Sequence, residues 1–436
     1  MFCKSILKNR AFTSSANRFL VQGANRQFGA MDLINYDLFD HKFTNDMEFR
    51  SSFDKLKCFR VLDEEGNVIN KDYEGSIDDQ TLQKMFKTMV MMNEADVVFN
   101  QAQRQSRISF YMTQLGEEAA GVGSAAGIKD HDLIFPQYRE AGAFLWRGFS
   151  IQQMAHQLTG NVHDFGKGRQ MPVHYGSNKH NIVTVSSPLC TQVPQASGAG
   201  YQFRISGQDR IAVTYFGEGA ASEGDFHSAL NFAATLRAQT MFFCRNNMYA
   251  ISTPIDDQYA GDGIAVRGIA YGMPTIRVDG NDIFAIYNAC KKGREMIIKE
   301  KRPVLIEAIS YRVGDHSTSD FSQRYRDEKE MLKWKELLSK FKSPIHRLEN
   351  YLLKRGLVKP EDSKQYRLEA LNQVRDALKN ANDQKKPSID DMFNDVYDTV
   401  MPHLEDQRKQ LKEHLKKYGE KYNLDTFQGG NAFANS

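Results

Sequence analysis

An acid between two glycines, Gly217-Glu218-Gly219, is followed one strand-helix-strand step later by Asn246-Asn247 and Tyr249. Together these residue types suit a metal-bridged diphosphate. Glycine allows main chain to approach a phosphate closely. Glu218 offers a charged oxygen, Asn247 a neutral amide oxygen and Tyr249 a main-chain carbonyl. Mg²⁺ takes such oxygens in an octahedral array that it shares with phosphates and water. Gly-Glu-Gly by itself reads as an ordinary βα turn; with the Asn pair at this spacing, the phosphate site is the better reading.

Other stretches carry weaker chemistry. Arg139 follows a strand-like run, where its planar fork would clamp a phosphate or make a surface ion pair. Ser186-Ser187-Pro188-Leu189-Cys190-Thr191-Gln192 crowds hydroxyl and amide oxygens into one turn, fit for a monovalent cation or a helix cap. His316 stands in a Ser/Thr/Asp-rich segment after a strand, which reads as an exposed loop at the functional edge of a sheet. His174 closes a Gly-rich basic loop and is either catalytic or a structural imidazole. That loop lacks Walker spacing, and Gly198-Ala199-Gly200 lacks the third glycine of a dinucleotide fingerprint.

The elements that must position these residues are legible from apolar periodicity. Ile211–Phe216, Met241–Cys244, Thr275–Val278 and Val304–Ile309 read as strands, with helices over 78–103, 193–201 and about 283–299. Phe226, Ala229, Leu230 and Ala233 recur at helical spacing between the first two strands. Alternation of strand and helix predicts an α/β fold, a parallel sheet with helices on both faces that binds ligands at the strand C-termini. The expected organisation is a leader over 1–31, an N-terminal arm over 32–77 with a hairpin through Glu65-Gly66-Asn67, and the α/β domain over 78–327. A helical region over 328–427 and a flexible tail over 428–436 follow.

Composition narrows the class. At 436 residues, 41% hydrophobic and 25% charged, the chain is globular. A net charge of +3 gives no case for nucleic acid, and no apolar run is long enough to span a membrane. Residues 1–31 carry Lys4, Lys8, Arg10, Arg18 and Arg26 with no acid before Asp32, the pattern of a mitochondrial transit peptide; the alternative is a basic tail. Five scattered cysteines without a C-x-x-C pair indicate neither a disulfide framework nor a zinc cluster.

Four stretches in order, Gly166–Gly176, Phe216–Asp225, Cys244–Pro254 and His316–Asp320, resemble the α subunits of the branched-chain 2-oxo acid dehydrogenases, which use thiamine diphosphate. The likeness covers roughly residues 45 to 425. It implies a diphosphate-binding fold, oxidative decarboxylation of branched-chain 2-oxo acids and acyl transfer to a lipoyl group. It implies Mg²⁺ on Glu218, Asn247 and the Tyr249 carbonyl. Contacts to thiamine diphosphate would come from Tyr138, Arg139, Ser187, Leu189, Gly219, Ala220, Arg245 and His316, the last also catalytic. K⁺ would sit on Ser186, Pro188, Thr191 and Gln192, and Ser317 would be an inhibitory phosphorylation site. Implied partners are a β subunit in an α2β2 heterotetramer, which supplies the activating glutamate, a lipoyl-bearing transacylase core, and a kinase and phosphatase. The implied compartment is the mitochondrial matrix. The chain departs from the pattern at Met248, where glycine is usual, and at Phe226, Asp315 and Asp327, the last in place of a second phosphorylated serine. The competing readings are a pyruvate-specific α subunit and a non-catalytic regulatory subunit.

Overall fold

The computed structural model describes residues 45–49, 54–337 and 343–436. The expected leader over 1–31 lies outside these. Residues 45–49 belong to a separate N-terminal unit, 1–54, and carry neither helix nor strand. The second unit begins at Lys55.

Six parallel strands form its sheet: β1 (Cys58–Phe59), β2 (Leu133–Phe135), β3 (Ala212–Gly217), β4 (Thr240–Asn246), and two later strands. The latter are β7 (Thr275–Asp279) and β8 (Val304–Ile309), in the spatial order β1-β7-β8-β4-β3-β2. A separate antiparallel ribbon, β5 (Tyr249–Ala250) with β6 (Thr253–Pro254), follows β4. In-register pairing sets Gly217 beside Arg245 and Asn246 beside Ile309, so the C-terminal ends of β3, β4 and β8 lie side by side.

Both faces of the sheet are buried, as a parallel sheet requires. Side chains alternate between two apolar clusters. Val213, Tyr215, Met241, Phe243 and Ile306 join one, while Phe216, Phe242, Cys244 and Leu305 join the other. The first face is covered by helices α1 (Asp79–Arg104), α2 (Glu118–Ala126) and, further on, α9 (Ile283–Glu300). Short helices α3 (Ala141–Trp146) and α4 (Ile151–Thr159) pack with them. The second face is covered by α5 (Gln192–Ile205), α6 (Gly224–Thr235) and α8 (Ala265–Ala270), with α7 (Ile255–Gln258) leading into the last. Asp78 caps α1 by accepting from Thr81 N at 2.9 Å. The apolar stripe of α1 turns through Val98 and Phe99 and leaves Val97 exposed.

Glycine sets the distance between layers. Gly121 of α2 meets Gly142 of α3, and Gly200 of α5 lies against Gln239 and Thr240. Helix α2 is buried within this chain over Glu118–Ala125.

The N-terminal arm is only partly an arm. Cys58–Phe59 adds an edge strand to β7, and Val61 N and Leu62 N both donate to Asp282 Oδ2, at 2.6 and 2.7 Å. The turn through Gly66 forms as expected, with Leu62 bridged to Val68. C-terminal to the sheet come α10 (Glu328–Leu337), α11 (Pro344–Lys354), α12 (Pro360–Asn382) and α13 (Pro402–Tyr418). Helices α11 and α12 contribute Leu348, Val374 and Leu378 to the main core, so no domain boundary separates them from it. In place of the flexible tail expected over 428–436, α14 (Gly430–Asn435) buries Phe433 and Ala434 with Ile389, Phe393, Leu415 and Leu424. A tail rich in small polar residues conceals one aromatic anchor, and that anchor suffices to dock it. Among the described residues no helix is long and apolar enough to cross a membrane.

Candidate functional site

The Gly-Glu-Gly turn caps β3. Gly217 N donates to Gln137 Oε1 at 2.7 Å, tying the turn to the segment that leaves β2. Neither Gly217 nor Gly219 has positive φ. Glycine is required at Gly219 by proximity instead: a Cβ there would stand 2.6 Å from Ala250 Cβ on the neighbouring ribbon. Glu218 and Asn247 are 2% and 5% exposed, and Asn247 N donates to Glu218 Oε2 at 3.3 Å. Burial, with the charge of Glu117 nearby, pushes the Glu218 carboxyl up to about 7.

Beneath this pair lies an ion cluster that sequence reading missed. Arg245, 2% exposed, donates from Nη1 to Glu117 Oε2 at 2.6 Å and from Nε to Glu140. Glu117 also accepts from Asn247 Nδ2 at 2.9 Å, which fixes which way that amide faces. Burial would raise Glu117, but Arg245 and Arg139 together with these donors hold it below its ordinary value. Glu117 and Glu140 are far from Arg245 along the chain, so only the fold pairs them. Asn246 serves the structure: its amide donates to Glu307, which also takes Ile264 N, Ala265 N and Arg277.

Met248 adopts φ +72°, the left-handed conformation that glycine takes without penalty. Met248 thus takes a strained conformation where the family resemblance has glycine, and Tyr249 enters the β5–β6 ribbon.

A second group gathers between the ends of β2 and β8. Tyr138 Oη and His316 Nε2 are 3.2 Å apart, and Arg139 donates to the carbonyls of Thr113 and His316. Arg139 is buried and, among the described residues, pairs with no carboxylate, so it is no surface ion pair. Burial, then Arg139 and Arg312, push the His316 imidazole down to about 3, which keeps it neutral. The loop after it is not the exposed one expected. Ser317 is 9% exposed, and Thr318 brackets Tyr111 through two hydrogen bonds, N to Tyr111 O at 3.0 Å and Oγ1 from Tyr111 N at 3.1 Å. Asp320 accepts from His316 N at 2.7 Å and Tyr325 O–H at 2.6 Å. Backbone bonding to a distant segment draws these hydroxyls inward.

The third group is the turn before α5. Thr191 Oγ1 lies 3.2 Å from Ser186 Oγ and 3.1 Å from Pro188 O, with Cys190 at φ +68° making the bend. Gln192 differs: its amide nitrogen donates to Tyr215 O on β3 at 2.8 Å. Ser187 Oγ pairs with His174 Nε2 at 2.5 Å, and His174 Nδ1 faces Pro172 O at 3.1 Å, which makes this imidazole a brace for Ser187. Leu189 is 37% exposed and Ala220 is buried.

The donors at Glu218 fit a hard cation. One buried carboxylate beside the Asn247 amide, with the Tyr249 carbonyl two residues on taking Arg312 Nη1 at 3.2 Å, meets Mg²⁺ chemistry only if phosphate or water completes the shell. Among the described residues no cluster of three or more His, Cys, Asp or Glu could hold a metal unaided.

Comparison with known proteins gives one answer. A sequence model of the dehydrogenase E1 component matches residues 86–390. The mitochondrial 2-oxoisovalerate dehydrogenase subunit alpha of Dictyostelium discoideum is 50% identical over 387 residues, 88% of this chain and 87% of that one. Its human counterpart is 47% identical over 372 residues, 85% and 83% of the two chains. That of Caenorhabditis elegans is 48% identical over 390 residues, 88% and 89%. The family to which the motifs pointed is the one found: the chain belongs to the dehydrogenase E1 component family, among the α subunits of the 2-oxoisovalerate dehydrogenases.

Proposed function

We propose that this chain carries the diphosphate half of a mitochondrial, matrix-located 2-oxoisovalerate dehydrogenase. With a β subunit it decarboxylates branched-chain 2-oxo acids and passes the acyl unit to a lipoyl group of a transacylase core. The observation that carries the reading is the Glu218–Asn247 pair at adjacent strand ends, oriented from below by Glu117 and Arg245.

Thiamine diphosphate, when bound, supplies the carbon nucleophile and electron sink for cleavage beside the keto group. This chain's residues bind and orient. Glu218, Asn247 and the Tyr249 carbonyl would hold Mg²⁺ against the diphosphate, and the buried Glu218 carboxylate would be ionised by the metal's charge. Gly219, Ala220, Arg139 and Arg245 would line the phosphates, with Tyr138, Ser187 and Leu189 alongside. Arg245 would act while held by two carboxylates. Ser186 Oγ, Pro188 O and Thr191 Oγ1 would hold K⁺, and Gln192 would anchor that turn to β3. Neutral His316 would offer Nε2, shared with Tyr138, as a hydrogen-bonding group at the reacting edge. Ser317 would take an inhibitory phosphate from a kinase, removed by a phosphatase. With Ser317 9% exposed, its hydroxyl would have to leave its present place to be phosphorylated.

The test uses the co-expressed α–β pair. Turnover with 3-methyl-2-oxobutanoate should exceed turnover with pyruvate; the reverse order would assign the chain to pyruvate oxidation. Absence of thiamine diphosphate binding by the pair would favour a regulatory subunit.

A further inference from the structure

The proposed metal turn is held in a conformation that its side chains resist. Met248 and Ile251 both have positive φ, +72° and +55°. Within the turn, Met248 N and Tyr249 N donate to Asn246 Oδ1 and Asn247 Oδ1 at 3.2 and 3.4 Å, beside the short β5–β6 pairing and Ile255 N to Met248 O at 3.0 Å. Further support comes from outside. Arg312 donates to Tyr249 O at 3.2 Å and Ile251 O at 2.6 Å. Helix α10 closes over the same residues. Glu330 accepts from Tyr249 O–H at 2.9 and 3.1 Å, one distance to each carboxylate oxygen, and from Tyr311 O–H at 2.9 Å. Trp334, one helical turn on, stacks flat on Tyr311 at 4.5 Å and 9°. The Arg326 guanidinium lies 4.4 Å from the centre of the Tyr249 ring. Asp327 Oδ1 accepts from Lys329 N and Glu330 N, at 2.7 and 3.1 Å, which fixes Glu330 in the first turn of the helix.

We propose that Glu330 is a positioning residue for the metal site. Its carboxylate clamps the Tyr249 side chain against Tyr311, and so sets the direction of the Tyr249 carbonyl at a turn that would otherwise relax. The proposal rests on the reading of Glu218, Asn247 and Tyr249 as Mg²⁺ ligands. The bland alternative is that Glu330 only satisfies two tyrosine hydroxyls at the rim of an aromatic cluster.

The experiment is calorimetric titration of Mg²⁺, at saturating thiamine diphosphate, into the assembled α–β enzyme stripped of metal. Wild type, Glu330→Gln, Tyr249→Phe and the double variant are compared, each with its melting temperature in the absence of metal. Tyr249→Phe removes one oxygen and leaves the carbonyl, so it serves alone if Glu330→Gln fails to assemble. Each single variant should raise the Mg²⁺ dissociation constant roughly tenfold, the scale of one charge-assisted hydrogen bond. The double variant should be no worse than either single one, because both break the same contact. Wild-type Mg²⁺ affinity in the variants, with or without a lower melting temperature, would leave Glu330 a structural residue and overturn the proposal. So would additive effects. If the wild-type enzyme itself took up no Mg²⁺ with thiamine diphosphate, the ligand assignment would fail, and the clamp with it.

Discussion

Glu218 and His316 show one physical effect, desolvation, acting on opposite charge types. Burial raises a carboxyl and lowers an imidazole, because each loses its charged form. For Glu218, on the proposed reading as a metal ligand, a bound cation would favour the ionised form. Glu218→Ala should abolish measurable Mg²⁺-dependent binding of thiamine diphosphate, while stability without cofactor stays within about 1 kcal/mol of wild type. Calorimetry beside thermal melting separates the two; wild-type affinity in a folded variant would refute the ligand role. For His316 the folded value of about 3 lies below the ordinary 6.5. The unfolded chain therefore binds a proton that the folded one does not. Its contribution is intact above pH 6.5 and is lost as pH falls from 6.5 towards 3. Wild type should lose more melting temperature between pH 7.5 and 5.5 than His316→Asn does. Parallel pH profiles would contradict a buried neutral imidazole.

At the scale of elements, the sheet's functional edge depends on how closely helices seat on it. Helix α5 offers a controlled comparison. A Cβ on Gly200 would stand 2.2 Å from Thr240 Oγ1 and 2.8 Å from Gln239 main chain, whereas one on Gly198 meets nothing within 4 Å. Gly200→Ala should destabilise by roughly 1–3 kcal/mol, since main chain must move aside. Gly198→Ala should be neutral or stabilise by about 0.5–1 kcal/mol, the helix preference of alanine over glycine. Urea unfolding of both variants would check the pair. Equal effects would mean that α5 does not seat on β4 as described. Because Gln192 of the same helix bonds β3, loosening at Gly200 should also weaken the turn that carries Ser187.

For the whole molecule, the limits of this chain matter as much as its contents. On the proposed reading it presents residues for the diphosphate and the metal, and the family resemblance places the activating glutamate on a β chain. Purified alone, the α chain should show no decarboxylation of 3-methyl-2-oxobutanoate; activity at the rate of the pair would remove the need for a partner. Control should act through the same surface. Ser317→Glu places a charge where a 9%-exposed hydroxyl now sits, between His316 and the Thr318 bracket on Tyr111. Turnover with free lipoyl domain should fall at least tenfold relative to Ser317→Ala, in keeping with the −1.5 to −2 charge of a phosphate, roughly, at neutral pH. Near-equal turnover of the two variants would exclude a charge switch at this loop.

What the sequence determined by itself was local or periodic. Apolar runs at Ile211–Phe216 and Val304–Ile309 and helical spacing at Phe226, Ala229, Leu230 and Ala233 reflect backbone periodicity, which is written in consecutive residues. Gly217-Glu218-Gly219 and Asn247 were legible because a turn and a strand end need particular residues at fixed short spacing. Tertiary structure alone decided what lies across space. Glu117 and Glu140 reach Arg245 from distant segments, Glu330 reaches Tyr249 over a helix that signals nothing, and Phe433 turns an expected tail into packed structure. The same holds for Ser317: a run of Ser, Thr and Asp looks solvent-facing, yet two hydrogen bonds between neighbouring Thr318 and the Tyr111 main chain draw it in. Polarity along the chain is a local property. Burial depends on which remote segment is available to satisfy those polar groups, and only the folded chain makes that choice.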